Sequence, residues 1–449
     1  MTQEPKIQNI DPSMKSSAGD SLKGTVQVPG DKSISHRSLM LSSLAVGESR
    51  VRGLLEGEDV LATAEAMRQM GADINRSENG EWRIHGVGVG GLKEPADVID
   101  MGNSGTSTRL ILGLLSSHEL TATMTGDGSL RGRPMKRVIT PMEQMGARFM
   151  TRRDGRLPLA VTGTSTAQPL SYESPVASAQ VKSCVLLAGL NTRGVTTLKE
   201  SVATRDHTER MLSAMGADLM VSDHEDGSRT VSITGPVTLS PIDLDVPGDI
   251  SSAAFLLVAA SIIPESDVTL KNVGMNPLRT GIIFALKHMG ADITLLNEQI
   301  LGGEPVADIR VKAARLKGVT DLPVHPSTMI DEFPVLFCAA SVASGTSRFT
   351  GLEELRVKES DRIAVMAQGL KACGVSFTEL EDGIEIVGNN GKVKGGGHID
   401  SHLDHRIAMS FSILGQMAQE AITIDDASPI NTSFPGFKNL MQGLGASLD

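Results

Sequence analysis

The stretch Met67-Arg68-Gln69-Met70-Gly71-Ala72-Asp73-Ile74 recurs in altered form along the whole chain. Its counterparts are MEQMGARF from Met142, LSAMGADL from Leu212, LKHMGADI from Leu286, LKACGVSF from Leu370 and MQGLGASL from Met441. Their glycines, Gly71, Gly146, Gly216, Gly290, Gly374 and Gly445, stand about 70–85 residues apart. Apolar residues at i, i+3 and i+4 make a helix stripe. The glycine suits a left-handed C-cap, and the alternation behind it begins a strand. The phrase therefore predicts helix, cap and strand six times over. Units of this length exceed ordinary solenoid repeats, so small βαβ-containing subdomains packed together are expected, in an α/β (α+β) chain.

A second echo marks a midpoint. Val28-Pro29-Gly30-Asp31 leads into KSISHRSLMLSSLA, and Val246-Pro247-Gly248-Asp249 leads into ISSAAFLLVAAS. Each copy predicts a strand, a tight turn and a buried helix. Three units lie on either side. Two lobes are expected, one at 35–244 and the other at 245–449 with residues 1–34 returning to it.

A chain of 449 residues is too long for one core and suits two or three domains. Aromatics make up only 3%, so Leu, Ile, Val, Ala and Met must fill the interiors. The net charge of −11 argues against nucleic acid or an anionic membrane as partner. Any anion must be held by local clusters working against the overall field. Cys184, Cys338 and Cys373 sit among apolar residues and are expected as buried reduced thiols. The first residues, MTQEPKIQNIDPSMKSS, lack the apolar segment of a secretory signal. The longest apolar run, 253–263, falls far short of the ~20 residues that span a bilayer. A cytoplasmic protein is expected.

The run Gly86-Val87-Gly88-Val89-Gly90-Gly91 matches a dinucleotide-binding pattern, but LKEPADVID follows where a helix is required. There is no Walker A sequence, HExxH or paired CxxC, and His402 and His405 lack a companion set, so neither metal nor cofactor is expected. The informative clusters are of another kind. Asp31-Lys32-Ser33-Ile34-Ser35-His36-Arg37 opens a helix at a glycine turn, where free N–H groups and the donors of Lys32, Ser33 and Arg37 suit a phosphate or carboxylate. In Asp100-Met101-Gly102-Asn103-Ser104-Gly105-Thr106, Asn103 or Ser104 would cap the next helix and Gly105 would admit a ligand close to the backbone. Arg131 and Arg133 flank Gly132 just ahead of a helix expected to start at Pro134. Ser178-Ala179-Gln180-Val181-Lys182-Ser183 and Thr204-Arg205-Asp206-His207-Thr208-Glu209 read equally well as helix caps. The second half adds Asp331-Glu332 before an apolar helix, the charged run 355–362, and Ser401-His402-Leu403-Asp404-His405-Arg406.

Each cluster alone is compatible with a solvated helix start. Together, Lys32, Arg37, Arg133, Lys358, Arg362 and Arg406 in an acidic chain point to a small polyanion held between the lobes. Asp331 and Glu359 then supply acid–base chemistry, and half-sites on two lobes imply closure around the ligand.

In this order DKSISHR, GNSGTSTR, the RP of GRPM, SAQVKS, RDHTE, DE-P, LRVKESDR and DHRIAM resemble the EPSP synthases (3-phosphoshikimate 1-carboxyvinyltransferases), most closely their class II bacterial members. The resemblance runs from Leu22 to Leu448. It implies two lobes of three βαβαββ units each. It implies transfer of the enolpyruvyl group of phosphoenolpyruvate to the 5-hydroxyl of shikimate 3-phosphate, without metal or cofactor. It implies a monomer and inhibition by glyphosate. By the same resemblance Lys32, Ser33, Arg37, Ser178, Ala179, Gln180, Arg205, Asp331 and Lys358 surround shikimate 3-phosphate. Lys32, Gly105, Arg133, Gln180, Arg362 and Arg406 surround phosphoenolpyruvate. Asp331 resembles the base for the attacking hydroxyl, and Glu359 and Lys32 the groups that protonate the methylene carbon. One departure is Thr432-Ser433-Phe434-Pro435, where many class I enzymes carry a lysine before T-F-P.

A UDP-N-acetylglucosamine enolpyruvyl transferase would share fold and donor. Its family usually has a reactive cysteine in the loop before the R-P motif, and GDGSLRGRPM has none. The RNA 3′-phosphate cyclases share related repeats, but the acidic charge and the motif set argue against them. A non-catalytic anion-binding relative would be marked by loss of Lys32, Asp331 or Glu359, and all three are present.

Overall fold

The computed structural model describes residues 12–449, so residues 1–11 of the segment assigned above to the second lobe lie outside the described residues. Helices Glu58–Gln69, Lys136–Gln144, His207–Ala214, Gly281–His288, Arg362–Ala372 and Phe437–Leu444 run up to the six phrase glycines. Those glycines have φ between +74° and +117°. Behind each, the next residue donates its N–H to the carbonyl five positions back. Ala72 donates to Met67, Ala147 to Met142, Ala217 to Leu212, Ala291 to Leu286, Val375 to Leu370 and Ala446 to Met441, all at 2.9–3.1 Å. That bond closes the helix and turns the chain directly into a strand.

The unit built around each cap is plainest at 99–162. Strand Ile99–Asp100 pairs parallel with Thr121–Thr125, which pairs antiparallel with Arg156–Thr162, which pairs antiparallel with Arg148–Arg152. Helix Gly105–Ser116 connects the two parallel strands, and helix Lys136–Gln144 leads into the hairpin. The residues 171–235 repeat this order. In two sheets the parallel edge strand comes from far away: Asp243–Asp245 pairs with Glu48–Arg52, and Lys23–Val26 pairs with Asp267–Gly274. The N-terminal strand Met14–Ser17 inserts between Ile422–Ile424 and Ser447–Leu448.

Six further helices are buried: Lys32–Ser43, Gly105–Ser116, Ala179–Gly189, Ile250–Ile262, Phe333–Val342 and His405–Gly415. Every residue of Ile250–Ile262 and Phe333–Val342 is buried, as expected of helices apolar all round. Small residues let them pack closely. A Cβ on Gly113 would lie 2.2 Å from the Cys184 carbonyl oxygen, where two of these helices meet. Buried apolar side chains form two clusters. One runs from Ile34 to Val246; the other joins Met14, Leu22 and Val28 to residues from Ile250 to Leu448. The three cysteines are free and buried. The glycine run 86–91 leads into irregular chain rather than a helix.

One local expectation is corrected. Pro134 does not start a helix; Arg133 is extended at ψ 135° and the helix begins at Lys136. A residue before proline is driven from the helical region, and here that residue is the arginine that must reach inward.

Because the phrase glycines are chosen for their dihedral, Gly216→Ala should destabilise by about 1 kcal/mol although its Cβ would have room. Gly443→Ala, inside helix Phe437–Leu444 with nothing within 4 Å, should stabilise by about 0.5–1 kcal/mol. Denaturation midpoints check both; shifts of the same sign would discard the cap argument.

Candidate active site

Lys32, Gly105, Ala179 and His405 are each the first residue of a buried helix, while Asp331 stands in the turn leading into Phe333–Val342. The starts are capped by side chains: Asp31 accepts from Ile34 N–H, Ser104 from Ser107 N–H, Ser178 from Val181 N–H and Asp404 from Arg406 N–H. Ser104, not Asn103, is the cap in GNSGT. Asn103 instead orients Arg133, accepting from Nη2 at 2.7 Å.

Asp331 is the meeting point. Its carboxylate lies 2.5 Å from Arg205 Nη2, 3.2 Å from Arg362 Nη1 and 3.6 Å from Lys358 Nζ. Its carbonyl accepts from Arg406 Nη1 at 2.9 Å. Arg205 lies within the stretch of chain that forms the first buried cluster, and the other three partners belong to the second half, so this residue joins the two. Glu359 lies 2.5 Å from Arg362 Nη2 and 3.8 Å from Arg133 Nη1. Arg362, 1% exposed, is held from behind by Asp404 at 2.8 Å. Burial works to raise both carboxyls. Lys358, Arg205, Arg406 and Arg362 nevertheless hold Asp331 well below its ordinary range, and Arg362, Arg133 and Lys358 do the same to Glu359.

Lys32 Nζ pairs with Asp59 at 2.5 Å. Arg37 and Arg109 have no carboxylate partner among the described residues. Arg37 donates to Thr208 Oγ1, the Ser33 carbonyl and Ser183 Oγ. Arg109 donates to Gln180 Oε1 and to the carbonyls of Gly105 and Pro134. Burial pushes each down to about 10. Cations satisfied only by neutral acceptors give that wall of the cleft a net affinity for anions. Ser178 caps its own helix and Ala179 begins it. Gln180 joins in through Arg109 and donates to Thr106 Oγ1 at 3.1 Å. Gly105 faces the arginines: a Cβ there would lie 3.0 Å from Arg109 Nη1 and 3.2 Å from Arg133 Nη1. Arg131 remains exposed. Thr432 closes back on the Pro429 carbonyl, and its own carbonyl lies beside Gly57, next to the helix carrying Asp59.

Arg109, Asp59 and Asp404 were not singled out from sequence as site residues. Arg109 ends GNSGTSTR one helical turn after Gly105, which was an available signal. Asp59 sits in an ordinary-looking helix start, and only the fold brings it to Lys32. Two cavities lie away from this cluster, one of about 470 Å³ lined by Phe284 and Ile300, the other of about 580 Å³ beside Arg210 and Arg229. Among the described residues no group of His, Cys, Asp and Glu suits a metal ion, and no helix is long and apolar enough to cross a membrane.

The chain is similar to known proteins over nearly its whole length. Residues 17–441 match the family model described as EPSP synthase (3-phosphoshikimate 1-carboxyvinyltransferase). The 3-phosphoshikimate 1-carboxyvinyltransferase of Sphingopyxis alaskensis is 60% identical over 95% of this chain and 97% of its own length. That of Zymomonas mobilis is 58% identical over 95% of both. EPSP synthase from Acinetobacter baumannii superposes with a TM-score of 0.87 at 48% identity, covering 97% of this chain and 99% of that one. The enolpyruvyl transferase NikO from Streptomyces tendae shares the fold, with a TM-score of 0.74 at 16% identity over 98% of both chains.

His405 gives this site a pH signature. Burial pushes its imidazole down to about 3 from an ordinary 6.5. The folded chain keeps it neutral where the unfolded chain binds a proton, so stability falls as pH drops from about 6.5 toward 3. The depressed carboxyls of Asp331 and Glu359 act lower, their contribution being lost only as pH falls below about 4. His405→Gln should therefore make the decline in urea midpoint between pH 7 and pH 5 shallower than in the wild type. Parallel declines would remove His405 from that role.

Proposed function

The chain belongs to the EPSP synthase family, the 3-phosphoshikimate 1-carboxyvinyltransferases, and from that membership we propose how its cleft residues divide the reaction. The enzyme transfers the enolpyruvyl group of phosphoenolpyruvate to the 5-hydroxyl of shikimate 3-phosphate, releasing phosphate, in the shikimate pathway. Shikimate 3-phosphate lies against Ser33, Arg37, Ser178, Ala179, Gln180 and Arg205, with Lys358 reaching it from the opposite side. Phosphoenolpyruvate lies among Lys32, Gly105, Arg133, Gln180, Arg362 and Arg406. The two buried clusters serve as the two lobes, and the enzyme works as a cytoplasmic monomer. The observation that carries this reading is Asp331, a carboxylate in contact with cations from both halves of the chain.

The chemistry needs one proton placed and one removed. Glu359 and Lys32 deliver a proton to the methylene carbon of phosphoenolpyruvate, and positive charge develops at C2. Asp331 takes the proton of the 5-hydroxyl as its oxygen bonds to C2. The tetrahedral adduct then expels phosphate as the methyl group returns its proton and the double bond re-forms. A carboxylate held far below its usual pKa is a weak base, and a poor acid reservoir. Anionic substrates meet the same arginines and lysines that depress Asp331 and Glu359. They withdraw that stabilisation, so both carboxyls climb toward useful pKa values only when the site is loaded. The arginines meanwhile balance charge in the transition state.

Asp331→Asn should lower kcat by about 10²–10⁴-fold while weakening substrate binding far less, because a base acts mainly in the transition state. Steady-state rates with both substrates test it, and a near-normal kcat would take the role of base from Asp331.

Glyphosate, as inhibitor, occupies the phosphoenolpyruvate side. A methyl on Gly105 presses on the guanidinium ends of Arg109 and Arg133. The longer inhibitor tolerates their displacement less than phosphoenolpyruvate does, and specificity is a difference of two affinities. Gly105→Ala should therefore raise the glyphosate inhibition constant more than it raises the KM for phosphoenolpyruvate. Equal changes in the two constants would show that Gly105 does not discriminate between them.

A further inference from the structure

We propose that Lys182, Glu200 and Glu209 form a buried charged clamp whose task is to position Arg205, an inference that rests on the assignment of Arg205 to shikimate 3-phosphate. Lys182 lies in helix Ala179–Gly189, one turn inside the capping Ser178, with a side chain wholly shielded from solvent. Its Nζ donates to Glu200 Oε1 at 2.8 Å and to the Thr204 carbonyl at 3.0 Å, and stands 2.8 Å from Glu209 Oε1. Glu200, at the end of strand Gly194–Glu200, accepts from Thr204 N–H on Oε1 at 3.0 Å and from the Thr204 hydroxyl on Oε2 at 2.6 Å. Thr204 is thereby gripped at its N–H, its carbonyl and its hydroxyl by a single ion pair. Arg205 follows at once, in a segment that is neither helix nor strand, and reaches Asp331.

An ion pair in a core carries a desolvation cost that well-packed apolar residues would not. What charge adds is direction: it fixes a loop backbone that no ladder holds. Glu209 stands on the third side, at the start of helix His207–Ala214, and keeps the ammonium centred between the strand and that helix. The neighbouring residue has a matching part. Ser183 accepts from Arg37 Nη2 at 2.8 Å and shares a bond with Thr208 at 2.7 Å, and Thr208 accepts from Arg37 Nε. Consecutive residues of one helix thus hold both arginines, Ser183 directly and Lys182 through Thr204. Lys182, Glu200 and Glu209 are positioning residues; none is placed on substrate.

The test is steady-state kinetics of Glu200→Gln, Lys182→Met and Arg205→Ala, singly and with each clamp variant combined with Arg205→Ala. Glu200→Gln should raise the KM for shikimate 3-phosphate about tenfold, with kcat and the KM for phosphoenolpyruvate within about twofold. Lys182→Met should show the same split, more strongly. Neither should raise that KM further once Arg205 is already alanine, because coupled residues are non-additive. A purely structural role would lower kcat and both affinities together and would add to Arg205→Ala, and that result overturns the clamp. Should Lys182→Met not fold, Thr204→Val removes one hydroxyl bond and leaves the ion pair. It should raise the same KM about threefold, and an unchanged value overturns the proposal. If Arg205→Ala alone leaves that KM unaltered, the assignment of Arg205 falls and the clamp with it. If Arg205→Ala raises it and the clamp variants do not, the clamp alone falls.

Discussion

One buried guanidinium governs where the two halves of this chain meet. Arg279 donates to Asp31 at 3.1 Å, to Asp249 at 3.2 Å and to Ser251 Oγ at 2.8 Å. Asp31 and Asp249 are the caps of the helices that follow the two VPGD segments. The segments themselves exchange backbone bonds, Asp31 N–H to the Pro247 carbonyl and Asp249 N–H to the Pro29 carbonyl. Burial alone would lower the pKa of Arg279, but Asp31 and Asp249 raise it above its ordinary value, so the charge is permanent. Both helices therefore start at fixed places relative to each other. Lys32 N–H, at one start, donates to Asp249, at the other, at 3.3 Å. The two helix starts cannot drift apart.

Charge is distributed with the same economy. The chain is acidic overall, at −11, yet its cleft concentrates cations. Some are neutralised in place: Lys32 by Asp59, and Arg362 by Asp404, Asp331 and Glu359. Others, Arg37 and Arg109, are held only by hydroxyls, carbonyls and an amide. The first kind keeps the site folded and the carboxylates ionised. The second kind supplies the attraction for a polyanion. A residue such as Arg133, bonded to Asn103 and Ser129 but only 3.8 Å from Glu359, sits between the two kinds.

The helix–glycine–strand phrases were legible in sequence because a left-handed cap is a local event: the glycine, the apolar stripe before it and the bond behind it lie within eight residues of one another. The helix opening at the 28–31 turn and the apolar helix after Asp331 were legible for the same reason. Pro134 misled because two rules compete there, proline's liking for a helix start and its demand for an extended neighbour, and the inward reach of Arg133 decided for the second. Asp59 and Glu200 carried no signal. Each is an acid of ordinary spacing, and its meaning comes from a partner, Lys32 or Lys182, that only the packed chain supplies. Arg109 was half visible: it ends the GNSGTSTR motif, but nothing local shows that Gln180 and Pro134 will close around it.

The strands at Met14–Ser17 and Lys23–Val26 pair with segments that lie hundreds of positions later, near 422–448 and 267–274. The cluster from Ile34 to Val246 needs nothing beyond Asp245 to complete its sheets. During synthesis on the ribosome, the middle of the molecule can thus finish while the first strands made still have open edges, a state that invites wrong partners. Met14–Ser17 is made hundreds of residues before the strands Ile422–Ile424 and Ser447–Leu448 between which it lies, and it must wait for both.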